Sequence, residues 1–245
     1  MAAPGFRLEV HEALSSTSDL VAARAAAGEP AGLAVLARRQ TGGRGTKGRA
    51  WESLEGNLHL TVLLRPRGAV REAPQWGLLA GVALAETIAP LLPDASALAL
   101  KWPNDVLLRG RKLAGILAEA SADPKGGLAW LSLGFGVNLA QAPIVPGRET
   151  ASLTDEGIAP PLAKAFAVQL LERLDQWCER RRARGFAPVR NAWLVHGPAP
   201  DAPIQVSTPG GTMTTGRFAG LAEDGSLLVA GEGRVERLAT GEVTV

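Results

Sequence analysis

Gln40-Thr41-Gly42-Gly43-Arg44-Gly45-Thr46-Lys47-Gly48-Arg49-Ala50-Trp51 sets four glycines, three basic residues and a tryptophan within twelve positions. Glycine lets a backbone take positive φ and approach a ligand closely. Successive exposed amides can then form an anion-binding concavity, to which Lys and Arg add charge suited to phosphate or carboxylate. The closing Trp51 offers a flat face for a base or ring. The stretch reads as a loop that binds a nucleotide or an activated acyl group. Its flanks speak for the fold. Leu33–Ala37 reads as a buried strand running into the loop, and Leu58–Leu64 as a strand leaving it, with Leu58, Leu60 and Val62 alternating against His59 and Thr61. Sheet therefore holds the loop at both ends, and His59 fits as a sheet residue.

Two common nucleotide motifs do not fit. Read from Gly43 the loop gives G-x-x-x-x-G-R-A, where a P-loop requires G-K-[ST]. The dinucleotide fingerprint needs a following helix and a different glycine spacing.

Outward from the loop, Phe6–Val10 reads as a strand and Leu20–Ala27 as a helix, entered through Ser15-Ser16-Thr17-Ser18-Asp19 and closed by Gly28 and Pro30. Ser16 and Thr17 have two readings, as caps or as hydroxyls facing an anionic or carbonyl-bearing ligand. Pro74–Leu92 is a strongly apolar helix suited to lie across a sheet. Ala97–Lys101, Val106–Leu108, Lys112–Ala120 and Leu128–Val137 read as strands, the last three as an antiparallel meander. Ala140–Pro161 reads as a connection too polar and interrupted to be core. Leu162–Arg184 predicts one helix, apolar at Leu162, Phe166, Leu170, Leu174 and Trp177, whose Arg180–Arg184 run suits the C-terminal end of the dipole. After Pro198-Ala199-Pro200 come five short strands, Ile204–Thr208, Met213–Ala219, Ser226–Val229, Gly233–Leu238 and Glu242–Val245, parted by Pro-Gly-Gly, Glu-Asp-Gly and Gly-Glu-Gly turns. They predict a small SH3-like barrel. The fold class expected is α+β: a mixed or antiparallel sheet packed with helices over residues 1–197, then a β-barrel domain over 198–245.

Composition narrows the function classes. The 245 residues are 46% hydrophobic and 20% charged, which suits a globular chain with a substantial core. A net charge of +2 is too small to imply a polyanion-coated partner. One cysteine, Cys178, excludes an internal disulfide and a cysteine-based zinc site, and reads as a packing residue beside Trp177. His11, His59 and His196 lack metal-ligand spacing. Neither a signal peptide nor an apolar run of about 18 residues is visible, so the expectation is a cytoplasmic protein without a membrane partner.

Three further features concentrate chemistry. Lys101-Trp102-Pro103-Asn104-Asp105 sets an ammonium, an amide and a carboxylate at a strand end stiffened by proline, although Pro-Asn-Asp also makes ordinary turns. Lys112 opens the apolar Leu113-Ala114-Gly115-Ile116-Leu117, where it must snorkel or find an anionic partner. Gly115, Gly134 and Gly136 leave room for a flat ligand against the sheet.

Together the loop, Lys101-Trp102-Pro103-Asn104-Asp105, Lys112-Leu113-Ala114-Gly115-Ile116-Leu117 and Gly134-Phe135-Gly136-Val137-Asn138 resemble the biotin–protein ligase family in order and spacing. The resemblance covers about residues 6–185, and the small β domain matches more loosely. Because the first strand starts near Phe6, the chain resembles the ligase-only type, without the helix-turn-helix domain of the repressor-type members and without DNA as a partner. The resemblance implies that biotin and ATP are the substrates, with Mg²⁺ assisting. The biotin carboxylate attacks the α-phosphate to give biotinyl-5′-AMP, and a lysine of a biotin carboxyl carrier domain then takes the acyl group.

On that resemblance Arg44 and Lys112 are the cations that meet accumulating negative charge, and Asp105 orients or deprotonates the incoming lysine. Ser16, Thr17, Gln40, Gly43, Arg44, Gly45 and Lys112 would hold the polar ends of biotin, with Gly115, Gly134 and Gly136 beneath its apolar body. Trp51 and Asn138 would take adenine, and Arg44, Arg49, Lys101, Asn104 and Lys112 would complete the nucleotide site; no metal ligands stand out. Two positions depart from the family pattern. Thr46 stands where a basic residue usually follows Gly-Arg-Gly, with Lys47 one place later, and Ser18 stands where Asn is usual. The missing charge at Thr46 predicts looser retention of the adenylate unless Lys47 or Arg49 compensates.

Lipoate–protein ligases share this core and this activation, but the Gly-Arg-Gly loop and the Lys-Trp-Pro-Asn-Asp block match the biotin branch. A non-catalytic binder of nucleic acid or protein would call for a basic stripe with interleaved aromatics, whereas aromatics are 4% of this chain and its basic residues gather in loops beside glycines. Edge strands are compatible with a homodimer.

Overall fold

Strands covered on both faces read as continuous apolar runs rather than alternating ones, and Leu33–Ala37 and Leu58–Leu64 sit inside one seven-stranded sheet. The computed structural model describes residues 5–209, 211–231 and 233–244; Gly210, Glu232 and Val245, parts of two expected turns and of the last expected strand, lie outside them. The sheet contains β1 (Arg7–Leu14), β2 (Leu33–Gln40), β3 (Leu58–Leu64), β4 (Leu98–Lys101), β5 (Asp105–Leu108), β6 (Arg111–Ala122) and β7 (Leu128–Val137). Its order is β1-β2-β3-β7-β6-β5-β4. Only β1 and β2 pair in parallel, and β5, β6 and β7 form the expected meander.

Alternation sorts the two faces. Ala34, Leu36, Leu58, Leu60, Val62, Leu133 and Phe135 share one cluster with α2 (Ala73–Ile88) and α3 (Ala163–Arg184), while Leu33, Val35 and Leu63 share another with Val21 and Ala25 of α1 (Thr17–Ala26). α2 is buried almost all round, as its uniform apolarity requires. α3 buries Phe166, Leu170, Leu174 and Trp177 as expected, but Leu162, expected on that face, is 81% exposed because it precedes the first turn. Arg181, from the run assigned to the helix end, is buried between α2 and α3.

A fourth helix, α4 (Ala187–His196), was not expected. Pro188 in its first turn and the Val189–Trp193 spacing, both buried residues, are the local signals for it. Beyond it β8 (Pro203–Ser207), β9 (Met213–Leu221), β10 (Leu227–Gly231), β11 (Arg234–Leu238) and β12 (Glu242–Thr244) form an antiparallel sheet in the order β11-β10-β9-β8-β12. Among the described residues no pairing joins β11 to β12, so the small β domain is an open sheet rather than a closed barrel. Ile204, Val206, Phe218 and Leu221 belong to the main buried cluster, and the Trp102 indole N–H donates to the Gly225 carbonyl at 3.1 Å. The expected boundary at residue 198 therefore divides the chain without dividing the core.

One connection was misread. Within Ala140–Pro161, Ala151 and Leu153 are fully buried. The segment is tied to β6 by the Lys112–Thr150 bridge, with Lys112 N donating to Glu149 O and Ala151 N to Lys112 O, each at 2.9 Å. Its prolines disguise a backbone that pairs like an extra strand.

Candidate active site

The α1 face of the sheet is only partly covered, because α1 stops at Ser16. Ser16 is the N-cap, accepting from Asp19 N at 3.4 Å, the arrangement of its capping reading. Beyond that end, Thr61 of β3, Gly134 and Gly136 of β7 and Gly115 of β6 line the wall of a cavity of about 300 Å³. Its head is polar. Gln40 Oε1 accepts from Thr17 N at 2.8 Å and from Thr17 Oγ1 at 3.1 Å, and Gln40 Nε2 donates to Ser53 Oγ at 3.2 Å. Thr61 Oγ1 lies 2.8 Å from Thr17 Oγ1 and 3.2 Å from Ser18 Oγ.

The glycine-rich loop folds back over this wall as an irregular hairpin. Thr41 N and Gly42 N donate to Leu14 O and Ser15 O, Gly45 N donates to Arg49 O at 2.7 Å, and Trp51 N to Gly43 O at 2.9 Å. A Cβ on Gly43 would meet Trp51 O at 2.5 Å, so Gly43 serves the loop's own closure and does not line the cavity. Trp51 lies flat on the sheet. A Cβ on Gly136 would sit 2.5 Å from its Cζ2, and one on Gly115 3.1 Å from its Cζ3. These two glycines seat the indole; Gly134 faces Ser18 and Thr61 instead.

Charge around the cavity is strongly one-sided. Arg44, Arg49, Lys112 and Arg148 line it against one carboxylate, Glu52. Arg44 is held by two Glu119 oxygens at 2.9 Å each and by Asp19 at 2.8 Å, and the Glu119 hydrogen bonds push its pKa further up. Arg44 staples the loop to α1 and β6. Lys47, Arg49 and Arg148 all pair with Glu242 of β12. Lys112 donates to Asp105 at 2.6 Å, and Lys101 lies 3.8 Å from the other Asp105 oxygen. Burial pulls the Lys112 pKa below its ordinary value, with Asp105 opposing.

Thr17, Gln40, Arg44, Gly45 and Arg49 line the cavity as expected, and so do Trp51, Asn104, Lys112, Gly115, Gly134, Gly136 and Asn138. Asn104 spends its amide on Ile116 O at 2.7 Å. Asn138 anchors its own on Ala151 O at 3.1 Å, leaving a buried Oδ1 without a donor. Ser16, Gly43, Lys101 and Asp105 do not line it. Asp105 is buried behind Lys112 with an ammonium on each oxygen, the geometry of an ion-pair partner more than of a base open to solvent. Sequence reasoning missed Thr61 and Ser18 as lining groups, and Arg148 and Thr150 with them; Thr61 was legible, with His59, as one of two polar residues on a mostly apolar strand. His59, buried on the same face, is pushed down to about 4 by desolvation and stays neutral. Among the described residues no group of three His, Cys, Asp or Glu could hold a metal ion.

This geometry has close relatives. The Biotin/lipoate A/B protein ligase family matches residues 10–138. The chain is 37% identical over 220 residues to a biotin–[acetyl-CoA-carboxylase] ligase of Paracoccus denitrificans, covering 85% of this chain and 88% of that one. A biotin protein ligase from Aquifex aeolicus in complex with biotin and ATP is similar at a TM-score of 0.80 and 25% identity, over 97% of both chains. The biotin protein ligase of Leishmania major in complex with biotinyl-5-AMP is similar at a TM-score of 0.65 and 27% identity, over 95% of this chain and 98% of that one.

Proposed function

The chain belongs to the biotin/lipoate A/B protein ligase family, and from that premise we propose that it activates biotin with ATP and transfers it to a carrier lysine. In the first step a biotin carboxylate oxygen attacks the α-phosphorus, the bond to the β-phosphate breaks, and biotinyl-5′-AMP and pyrophosphate form. In the second the acceptor amine attacks the acyl carbon, an amide forms and AMP leaves with the bonding electrons, the amine proton passing to solvent or to a nearby base. The acceptor is a biotin carboxyl carrier domain, and the cytoplasm is the proposed setting.

One observation carries this reading: four cations and a single carboxylate converge on a cavity whose inner end is lined by hydroxyl and amide groups. Apposing a carboxylate to a triphosphate gathers negative charge, and fixed cations in a partly desolvated site offset it without reorganising. We assign Lys112, with its buried ammonium, to the reacting carboxylate and α-phosphate. Arg49 and Arg148 are assigned to the departing phosphates. Thr17, Ser18, Gln40 and Thr61 suit the ureido end of biotin, since they offer both donors and acceptors. With Trp51 seated on Gly115 and Gly136, the volume left is at the small end for ligand sites. Adenine is therefore placed on the outer indole face. Asp105 acts in this scheme by holding Lys112, and Lys101 by holding Asp105. Among the described residues no group of carboxylates forms a cage for Mg²⁺, so we treat it as travelling with the ATP phosphates and route no step through it.

Incubation of the purified chain with ATP, Mg²⁺, biotin and a carboxylase acceptor domain tests the proposal. Expected are a biotinylated lysine and one pyrophosphate and one AMP per transfer; lipoylation in preference to biotinylation would overturn it.

Thr46 lines the cavity, and its hydroxyl accepts from Arg49 at 3.1 Å. Thr46→Arg adds a cation beside the phosphate, worth about one charge-assisted hydrogen bond of ~1.5 kcal/mol. Escape of biotinyl-5′-AMP without acceptor should slow about tenfold. An unchanged release rate would show that Arg49 and Lys47 already supply that contact.

A further inference from the structure

A second cleft, of about 1340 Å³, shares no lining residue with the first. It lies where the N-terminus of α2, the C-terminus of α3 and the Glu223-Asp224 turn of the small sheet meet. Six arginines line it against four carboxylates. Arg181 and Trp76 form its deepest wall, at 8% and 7% exposure, with the guanidinium 4.7 Å from the indole centroid and 5.7 Å from the Phe186 ring. Arg181 Nη2 donates to Glu72 at 3.2 Å. Arg181 Nη1 and Trp76 Nε1 are buried donors with no acceptor among the described residues.

A buried donor left unpaired is costly, so the wall calls for an acceptor. The rim says of what charge. Arg182 pairs with Glu179 and Arg237 with Asp224, and Arg65 is consumed by three backbone carbonyls. Arg67 and Arg71 are exposed at the rim and form no ion pair among the described residues. We propose that this cleft is a second ligand site, for a small anion carrying two or more carboxylate or phosphate groups. One group meets Arg181 Nη1 and Trp76 Nε1 at the base and another meets Arg67 and Arg71 at the rim. The concave lining, shared by two helices and a turn, favours a small molecule over a protein surface.

Titration calorimetry of the intact protein at low ionic strength, with citrate and with inorganic tripolyphosphate as probes, tests this. Saturable one-site binding of at least one anion is expected. It should weaken about tenfold or more in the Arg67→Ala/Arg71→Ala double variant, as loss of charge-assisted contacts requires, and stay unchanged in Lys112→Met. Arg181→Lys should weaken it as well; because that change also disturbs the seam between α2 and α3, the exposed rim pair carries the decision. No saturable binding, binding lost in Lys112→Met, or binding indifferent to Arg67 and Arg71 would overturn the proposal. So would saturable binding of an oligoglutamate peptide with neither small anion bound.

Discussion

Lys112→Met is expected to lower biotin-dependent pyrophosphate release by roughly 10²–10³-fold, the cost of removing one preorganised donor aimed at developing charge. Methionine keeps the length and most of the volume of the side chain, so the loss isolates the ammonium. Two structural facts make the effect large. Lys112 is largely buried, its side chain 17% exposed, and its Nζ is fixed by Asp105 at 2.6 Å. It also lies 5.8 Å from the Trp51 ring centroid, between the carboxylate that holds it and the indole that roofs the cavity. The variant leaves Asp105 with Lys101 alone at 3.8 Å, and an under-compensated buried charge is destabilising. Lys112→Met/Asp105→Asn should therefore recover thermal stability without recovering pyrophosphate release. The pH dependence has a definite sign. Burial lowers the Lys112 pKa from the ordinary 10.5, so the ammonium is present on the acid side and is lost as pH rises. The alkaline fall in adenylation should begin at a lower pH than an ordinary lysine would give. Pyrophosphate release within about twofold of the parent would return Lys112 to a merely structural cation.

The contrast between Lys112 and Arg44 shows what the sequence could and could not convey. Both were legible as site cations, since basic residues next to glycines or opening an apolar strand need an anion. Lys112 finds Asp105 seven positions away, but the partners of the loop's arginines were not legible. Glu119 lies 75 positions from Arg44 and Glu242 lies 193 from Arg49, and spacing along a chain says nothing about such distant pairs. The strands carrying the glycines were found almost to the residue because their apolar residues recur often enough to mark a strand that packs on the core. The cavity wall from Pro143 to Thr150 was missed because its backbone pairs through isolated bonds, which leave no periodic pattern. Ser16 and Thr17 show a finer limit. Adjacent hydroxyls look alike in sequence, yet helix geometry turns Ser16 to its own backbone and Thr17 toward Gln40 and Thr61.

Gly136→Ala should unseat Trp51, at little cost to the fold. Gly136 has no left-handed backbone among the positive-φ glycines, so alanine brings no strain of its own at this position of β7. Its Cβ, however, would stand 2.5 Å from Trp51 Cζ2 and 2.7 Å from Nε1, far inside contact distance. Something must move, and the loop is the softer partner. β7 pairs with β3 on one side and β6 on the other, whereas the loop between Gly43 and Trp51 is tied to the rest of the chain by side-chain ion pairs of Arg44, Lys47 and Arg49 and not by a strand ladder. On the proposed placement of adenine, a displaced indole means a lost platform and lost shielding of the anhydride. Base–aromatic stacking alone is worth about 1–3 kcal/mol, so ATP affinity should fall by about 10- to 100-fold, with biotinyl-5′-AMP hydrolysed rather than retained. Gly115→Ala grades the argument, since its Cβ would meet Trp51 Cζ3 at 3.1 Å and the flexible end of Lys112 at 3.3 Å. A shift of a few tenths of an ångström relieves it, and its effect should be several-fold smaller. Trypsin supplies an independent readout, because Arg44, Lys47 and Arg49 all lie in the loop. In Gly136→Ala cleavage there should accelerate while the melting temperature stays near that of the parent. If melting temperature drops sharply while loop cleavage is unchanged, the sheet has yielded instead of the loop, and Trp51 is then part of the core rather than its movable roof.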